Sequence, residues 1–395
     1  MYRRHTNFAM ESIEQVFNGQ ADFGKKVTVT VSRNGDLITR VYLQVDLPRI
    51  EPENETTLCA WTRNLGNIMI KQVEVEIGGQ RIDRQYGEWL VIWAELTVPA
   101  GQVVGYAEMT GNTGDMFTFA PVLPAKRIYV PLQFWFNRNP GLALPLIALQ
   151  YHEVKINIEF RPLSELLKCK TNELEPAMFV DRPAGVALQA ASLFIDYIYL
   201  DTDERRRFAQ VSHEYLIEQL QFTGEETINS ANNKVRLNYN HPVKELVWVA
   251  RTEDAETECQ WSNFTDGVVG SAAYSGGNPL VDAKLQLNGH DRFQTRAARY
   301  FNLVQPYQHH TNIPATGIYV YSFALKPEEH QPSGTANFSR IDNATFQMTF
   351  NPALFLGVDG GVQLLDGKNV TLLMYAVNYN VLRIMSGMGG LAYSN

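Results

Sequence analysis

Cysteine is scarce in this chain of 395 residues, with three copies at Cys59, Cys169 and Cys259. They are far apart, odd in number and form no CxxC pair, so neither a disulfide framework nor a zinc site is expected. On that reading all three are free thiols, and the chain suits a reducing compartment such as a cytosol. Long apolar runs are missing too. The nearest candidate, LALPLIALQY from Leu142, is about half the ~20 residues a membrane helix needs, and it carries a proline. The N-terminal stretch has two arginines without a continuous apolar core, so it does not read as a secretory signal. Positive charge is not in excess: 34 Lys and Arg face 42 Asp and Glu, a formal net charge of −8. An acidic surface of this kind repels phosphate backbones, which argues against direct nucleic-acid binding.

Motifs that carry chemistry are also lacking. There is no GxSxG, P-loop, GxGxxG or HExxH. No HxH occurs, so the metal-binding strand of a cupin has no counterpart. His309 and His310 are adjacent and would point to opposite faces of an extended segment, so they cannot chelate one ion as a strand pair. They read instead as a loop at a subunit contact. His152-Glu153 precedes an alternating strand and reads as a strand-edge pair. The glycines of GMGG, from Gly387, lie in a terminal tail without strand-to-helix context. No catalytic, cofactor-binding or metal-ligating residue is therefore expected, and no cofactor. Five N-x-S/T sequons occur, at Asn54, Asn263, Asn337, Asn343 and Asn369. Asn54 and Asn263 sit in polar, loop-like surroundings and are the candidate glycan acceptors; the other three adjoin strand-like runs.

What is present is β pattern. Hydrophobic residues make up 45% of the chain and aromatics 11%, enough for two cores of just under 200 residues each. Val27, Val29 and Val31 alternate with polar residues, as do Val41, Leu43, Val45 and Leu47. The alternation returns in VEVEI from Val73 and in VKINIEF from Val154, and it places one face of each strand in a core. One helical patch interrupts it: in GEWLVIWAEL, Trp89, Ile92, Trp93 and Leu96 form an apolar stripe.

The second half repeats the plan of the first. KVTVTVSRNGDLITRVYLQV (from Lys26) is answered by KVRLNYNHPVKELVWVA (from Lys234). VEVEIGGQRID is answered by AKLQLNGHDRF, each a strand with a Gly-Gly or Asn-Gly hairpin signal. RIYVPLQFWFNRNPG parallels GIYVYSFALKPEEHQPSG, and ASLFIDYIYLD parallels VTLLMYAVNYNVL. The join is the charged run DTDERRRFAQ, from Asp201, which reads as an exposed connector with helical character leading into HEYLIEQLQF. The predicted organisation is an N-terminal segment 1–24, a first domain 25–201, a connector 202–220 and a second domain 221–395. The fold class is all-β: two consecutive eight-stranded antiparallel jelly rolls with a few short helices in loops.

Three long blocks resemble one known family. PLQFWFNRNPGLALPLIALQYHEVKINIEF (from Pro131), NLGNIMIKQVEVEIGGQRIDRQYGEWLVIW (from Asn64) and LKPEEHQPSGTANFSRIDNATF (from Leu325) are similar, in that order, to major capsid proteins of nucleocytoplasmic large DNA viruses. The flavour is that of the algal-virus, iridovirus and mimivirus-like group. The resemblance implies a homotrimer forming a pseudo-hexagonal capsomer that tiles an icosahedral shell around an internal membrane. It also implies contacts with neighbouring capsomers and minor capsid proteins, a place in the virion capsid and assembly in the host cytoplasm. The alternatives are a minor capsid jelly-roll component and a glycan-binding or cupin-like protein. The same words have plain physical uses: Pro140 and Gly141 turn the chain, Asn137 and Asn139 can bond turn backbone, and Phe338 and Ile341 are core candidates. Arg340 is placed to reach across a domain seam or to stand solvated. Trp248 suits a core. Candidate subunit contacts are the Phe117–Phe119 segment and the region of Tyr307, His309 and His310.

Overall fold

The structure, a computed structural model, describes residues 7–52, 54, 56–171, 180–267, 274, 276–355, 357–359, 362–364 and 368–393. Strand takes 44% of it and helix 22%. That is about twice the strand share of an ordinary globular domain, so the molecule is a β protein with helices in its connections.

The first sandwich uses eight strands: β1 (Phe8–Val16), β2 (Lys26–Thr30), β3 (Leu37–Leu47), β4 (Ile70–Ile77), β5 (Gln80–Tyr86), β6 (Lys126–Pro131), β7 (Val154–Phe160) and β8 (Ala190–Leu200). One sheet runs β1-β8-β3-β6 and the other β2-β7-β4-β5. The second sandwich uses β9 (His213–Ile228), β10 (Asn232–Arg236), β11 (Pro242–Thr252), β12 (Leu280–Leu287), β13 (His290–Asp291), β14 (Ile318–Ser322), β15 (Ala344–Phe350) and β16 (Val370–Met385). Its sheets run β9-β16-β11-β14 and β10-β15-β12-β13. Adding eight to every strand number of the first sandwich yields the second. The fold is a double jelly roll, and each repeated word of the sequence falls on a corresponding pair: β2–β3 with β10–β11, β4–β5 with β12–β13, β6 with β14, β8 with β16.

Burial follows the alternation. Val27 and Val29, Val41, Leu43 and Val45, Val73 and Val75, and Ile156 and Ile158 are all buried. In the second sandwich Trp248 on β11 is the centre, with ring contacts to Phe346 at 4.7 Å, Phe301 at 5.2 Å and Tyr319 at 5.8 Å. Phe338 is buried and Ile341 packs half-buried on the same core. Helix α1 (Gly87–Thr97) forms where the stripe predicts it, with Trp89, Ile92, Trp93 and Leu96 buried. Gly87 is required at its start, since a Cβ there would lie 2.4 Å from the Ile70 carbonyl oxygen.

Compact packing groups residues up to Leu90 with Ala107–Gln219 and the stretch from Asn380, and groups Val91–Tyr106 with Leu220–Tyr379. The 1–24 segment contains strand β1, paired along its whole length with β8 from Phe8↔Leu200 to Val16↔Ser192. The connector is helical over Thr202–Gln210, capped by the Asp201 carboxylate, which accepts from the Asp203 N–H at 3.2 Å. Helix does not continue into HEYLIEQLQF; that segment is strand β9.

The expectation of three free thiols fails. Cys59 and Cys169 form a disulfide, and Cys259 is outside it. Their strands, Thr57–Trp61 and Leu167–Thr171, run antiparallel with the two cysteines directly opposed. Cys59 uses both its N–H and its C=O on Ala120, at 2.9 and 3.0 Å. Toward Cys169 it is thus the non-hydrogen-bonded member of the ladder, where antiparallel Cα atoms approach most closely; the separation is 4.1 Å. The pairing also removes the reason for expecting a permanently reducing compartment, because assembled virions and cell surfaces sustain disulfides.

Candidate functional site

The candidate contact residues fall in two different settings. Phe117 and Phe119 are half-buried. The Arg63 guanidinium lies 4.0 Å from the Phe117 ring centre and the Lys170 ammonium 4.5 Å from that of Phe119. Ala120, next in the chain, is bonded to Cys59. The segment therefore braces the disulfide ribbon from within its own subunit, which engages one face of each ring.

The second setting is the helical segment Tyr300–His309, a π-helical turn continued by a short α-helix. Its residues divide by face. Phe301, Asn302, Gln305 and Pro306 are buried, whereas Leu303, Val304 and Tyr307 are exposed, Tyr307 by 77%. Polar side chains anchor the inner face. Asn302 donates to the carbonyls of Ala315 and Ile318 at 3.1 and 2.9 Å, and Gln305 accepts from the Ser322 N–H at 3.0 Å. Nearby, His309 Nδ1 donates to the Leu325 carbonyl at 2.9 Å, which brings the 72%-exposed Leu325 beside the helix end.

His310 departs from the sequence reading. Its side chain is fully buried and offers no exposed group to a partner. Nε2 lies 2.9 Å from Glu245 Oε2, and Nδ1 lies 2.9 Å from Glu328 Oε1. Glu328 also accepts from the Thr311 N–H at 2.8 Å, and the Trp93 ring stands perpendicular to the imidazole with centres 6.5 Å apart. Burial alone would push His310 down, but the two carboxylates outweigh it and hold the imidazole up at about 9. Burial would likewise raise Glu245 and Glu328, and the His310 cation reverses both, keeping them below the usual carboxylate range. Lys244, also fully buried, donates to the Pro327 carbonyl and adds a second positive charge against Glu245. The cluster clamps the loop after the helix. The signal for it was the polar pair Lys244-Glu245 directly before the apolar run Leu246–Ala250 of the same strand.

The terminal GMGG is a hairpin turn, not a tail. Ser386 and Gly387 both take left-handed backbone, at φ 52° and 79°, between the opposed Met385 and Met388. That is the geometry of a two-residue hairpin turn. Tyr151 N–H donates to the Gly387 carbonyl at 2.9 Å, and a Cβ on Gly387 would sit 2.5 Å from the Tyr151 ring. His152 Nδ1 meets the Gly389 backbone at 3.0 Å. The result is a second exposed apolar group: Tyr151 at 76%, Met388 at 51% and Met385 at 49% exposure.

The two candidate sequons share a local hydrogen-bond pattern and differ in burial. Asn54 Oδ1 accepts from the N–H and hydroxyl of Thr56, and Asn263 Oδ1 does the same with Thr265. Asn54 is exposed. Asn263 is fully buried, and its Nδ2, the atom a glycan would take, donates to Gln260 and Gly267; Asn263 is thereby withdrawn as an acceptor in the folded chain. In the NPG corner Asn139 Oδ1 accepts from the Gly141 N–H at 2.8 Å. Asn137 instead ties the Phe134 N–H and the Thr39 carbonyl of β3. Arg340 is exposed. Among the described residues no group of three or more His, Cys, Asp or Glu is placed to hold a metal ion.

Comparison with known proteins gives the family. Residues 1–201 match the family model described as the major capsid protein N-terminus, and residues 204–390 match that of the large eukaryotic DNA virus major capsid protein. The major capsid protein of Pyramimonas orientalis virus is 52% identical over 420 residues, covering 100% of this chain and 93% of that protein. That of Paramecium bursaria Chlorella virus 1 is 44% identical over 429 residues, with the same coverage. Among solved structures, a chain of the PBCV-1 virus capsid superposes with a TM-score of 0.81 at 42% identity, covering 100% of this chain and 99% of that one. The Faustovirus major capsid protein, at 13% identity and a TM-score of 0.78 over 98% and 92% of the two chains, shares the fold. With both halves of the sequence and the whole double jelly roll accounted for, the chain belongs to the major capsid protein family of large eukaryotic DNA viruses and is a subunit of the virion capsid.

Proposed function

We propose that this capsid protein works as a homotrimer of pseudo-hexagonal outline that tiles an icosahedral shell. The observation that carries the reading is the repeated strand order: one chain holds two jelly rolls of one topology, so three chains supply six similar bodies around a three-fold axis. A role without catalysis fits the same picture, since the polar clusters in the fold, such as His310 with Glu245 and Glu328, are buried braces. Neighbouring trimers, minor capsid proteins and an internal membrane complete the proposed surroundings, with assembly in the host cytoplasm. Asn54 is the proposed glycan acceptor, its exposure being the supporting feature. Light scattering on the purified chain tests the main point. A particle near 134 kDa, three times the 44.7 kDa chain, supports the trimer; a stable monomer at micromolar concentration refutes it.

A further inference from the structure

A ring of three identical chains closes only through a heterologous contact, in which one surface of each subunit meets a different surface of the next. Two surfaces suit such a contact. One is Leu303, Val304 and Tyr307 with Leu325; the other is Tyr151 with Met385 and Met388. From their exposures each presents about 400 Å² of side chain, within the range of the largest, often functional, patch on a monomer. That is roughly half of the ~800 Å² per partner that a standard interface buries, the proportion of an apolar centre inside a polar rim.

The residue types fit as well, since tyrosine and methionine are enriched in interface centres and tyrosine among the residues that dominate binding energy. Both surfaces are preorganised. Asn302, Gln305 and the buried His310 fix the helix, and the Tyr151–Gly387 hydrogen bond fixes the hairpin, so little side-chain and loop entropy remains to be lost on docking. Other exposed apolar residues form thinner groups. On β1, Ser12 and Glu14 separate Phe8 and Met10 from Val16, and Val103 and Val104 stand as a pair.

We propose that the Tyr307–Leu325 surface of one subunit docks on the Tyr151–Met388 surface of the next and closes the trimer. The inference rests on the homotrimer reading, and the test separates the two. Light scattering on the full chain compares wild type with Tyr307→Asp/Leu325→Asp and with Tyr151→Asp/Met388→Asp. Both variants are expected to keep the wild-type circular dichroism and to fall from trimer to monomer mass. A wild-type monomer overturns the homotrimer and this contact together. A wild-type trimer with both variants still trimeric overturns the contact alone, as does a variant that forms trimers yet fails only in shell assembly. Should a variant not fold, Tyr151→Cys/Tyr307→Cys in a Cys259→Ser background decides. Mild oxidation is expected to give a covalent trimer on a denaturing gel, and a folded trimer that yields only monomer bands overturns the proposal.

Discussion

Replacing Glu245 by Gln tests the buried charge cluster most directly. The change keeps shape and removes one of the two carboxylates that hold the His310 cation. A histidine titrating at about 9 in the folded chain and near 6.5 unfolded contributes about 3 kcal/mol. Glu245 is the larger of the two partners behind that figure, so its loss removes up to about 3 kcal/mol. For a body of this size that is a fall in Tm of roughly 6–12 °C. The pH dependence has a definite sign. Because His310 is raised, its contribution is complete below about 6.5 and is lost as pH climbs through about 9. Glu245 and Glu328 are lowered, so theirs is complete above about 4.5 and lost as pH falls through their folded values. Calorimetry of wild type and Glu245→Gln should therefore show the largest gap at about pH 5–6.5 and a gap closing, or reversing, by about pH 10. A gap under about 2 °C near pH 6, or one that does not change with pH, refutes the reasoning.

Three further outcomes are expected. Thiol titration of the denatured chain without reductant should count one thiol, and three after reduction; Cys169→Ala should cost about 2–4 kcal/mol in oxidising denaturant melts and nothing in reductant. Gly387→Ala should lower stability by about 1–3 kcal/mol, because alanine resists φ 79° and its Cβ meets the Tyr151 ring; adding Tyr151→Ala should restore part of the loss, and a melt within error of wild type would contradict the turn geometry. Peptide mass spectrometry of particle-derived protein should find any N-linked glycan at Asn54 and none at Asn263, and occupancy of Asn263 in folded protein would contradict its burial.

The jelly rolls were legible because each core strand turns one face inward, so period-two alternation survives wherever a sandwich is built. The repeated words carried the topology as well, since both halves bury the same faces in the same order. Strand β1 was not legible. Phe8, Met10, Ile13 and Val16 are spaced irregularly and most of the strand is exposed, so its extended form comes from its partner β8, nearly the whole first sandwich away. HEYLIEQLQF misled for a related reason: its apolar residues fit either period, and the strand ladder decides. The disulfide joins residues 110 apart, and counting cysteines cannot reveal that two of them face each other across a ladder.

The exposed apolar surfaces show how far residue type alone can reach. Tyr307 and His310 read from the sequence as one candidate contact region, yet the helical turn between them sends one outward and the other into a closed charge cluster. Three positions along a helix is most of a turn, and only the partners of the inner face, Glu245 on β11 and Glu328 in a later loop, decide which side is in. The same holds for Asn54 and Asn263, whose side chains make the same hydrogen bonds to the threonine two residues on. Local chemistry fixes the turn in both; the neighbouring packing fixes whether the turn sees solvent. Exposed apolar surfaces in this chain are thus set at the level of packing. Tyr151, flanked by Gln150 and His152, gives no outward sign in the sequence and becomes part of an apolar face only when the hairpin around Gly387 folds against it.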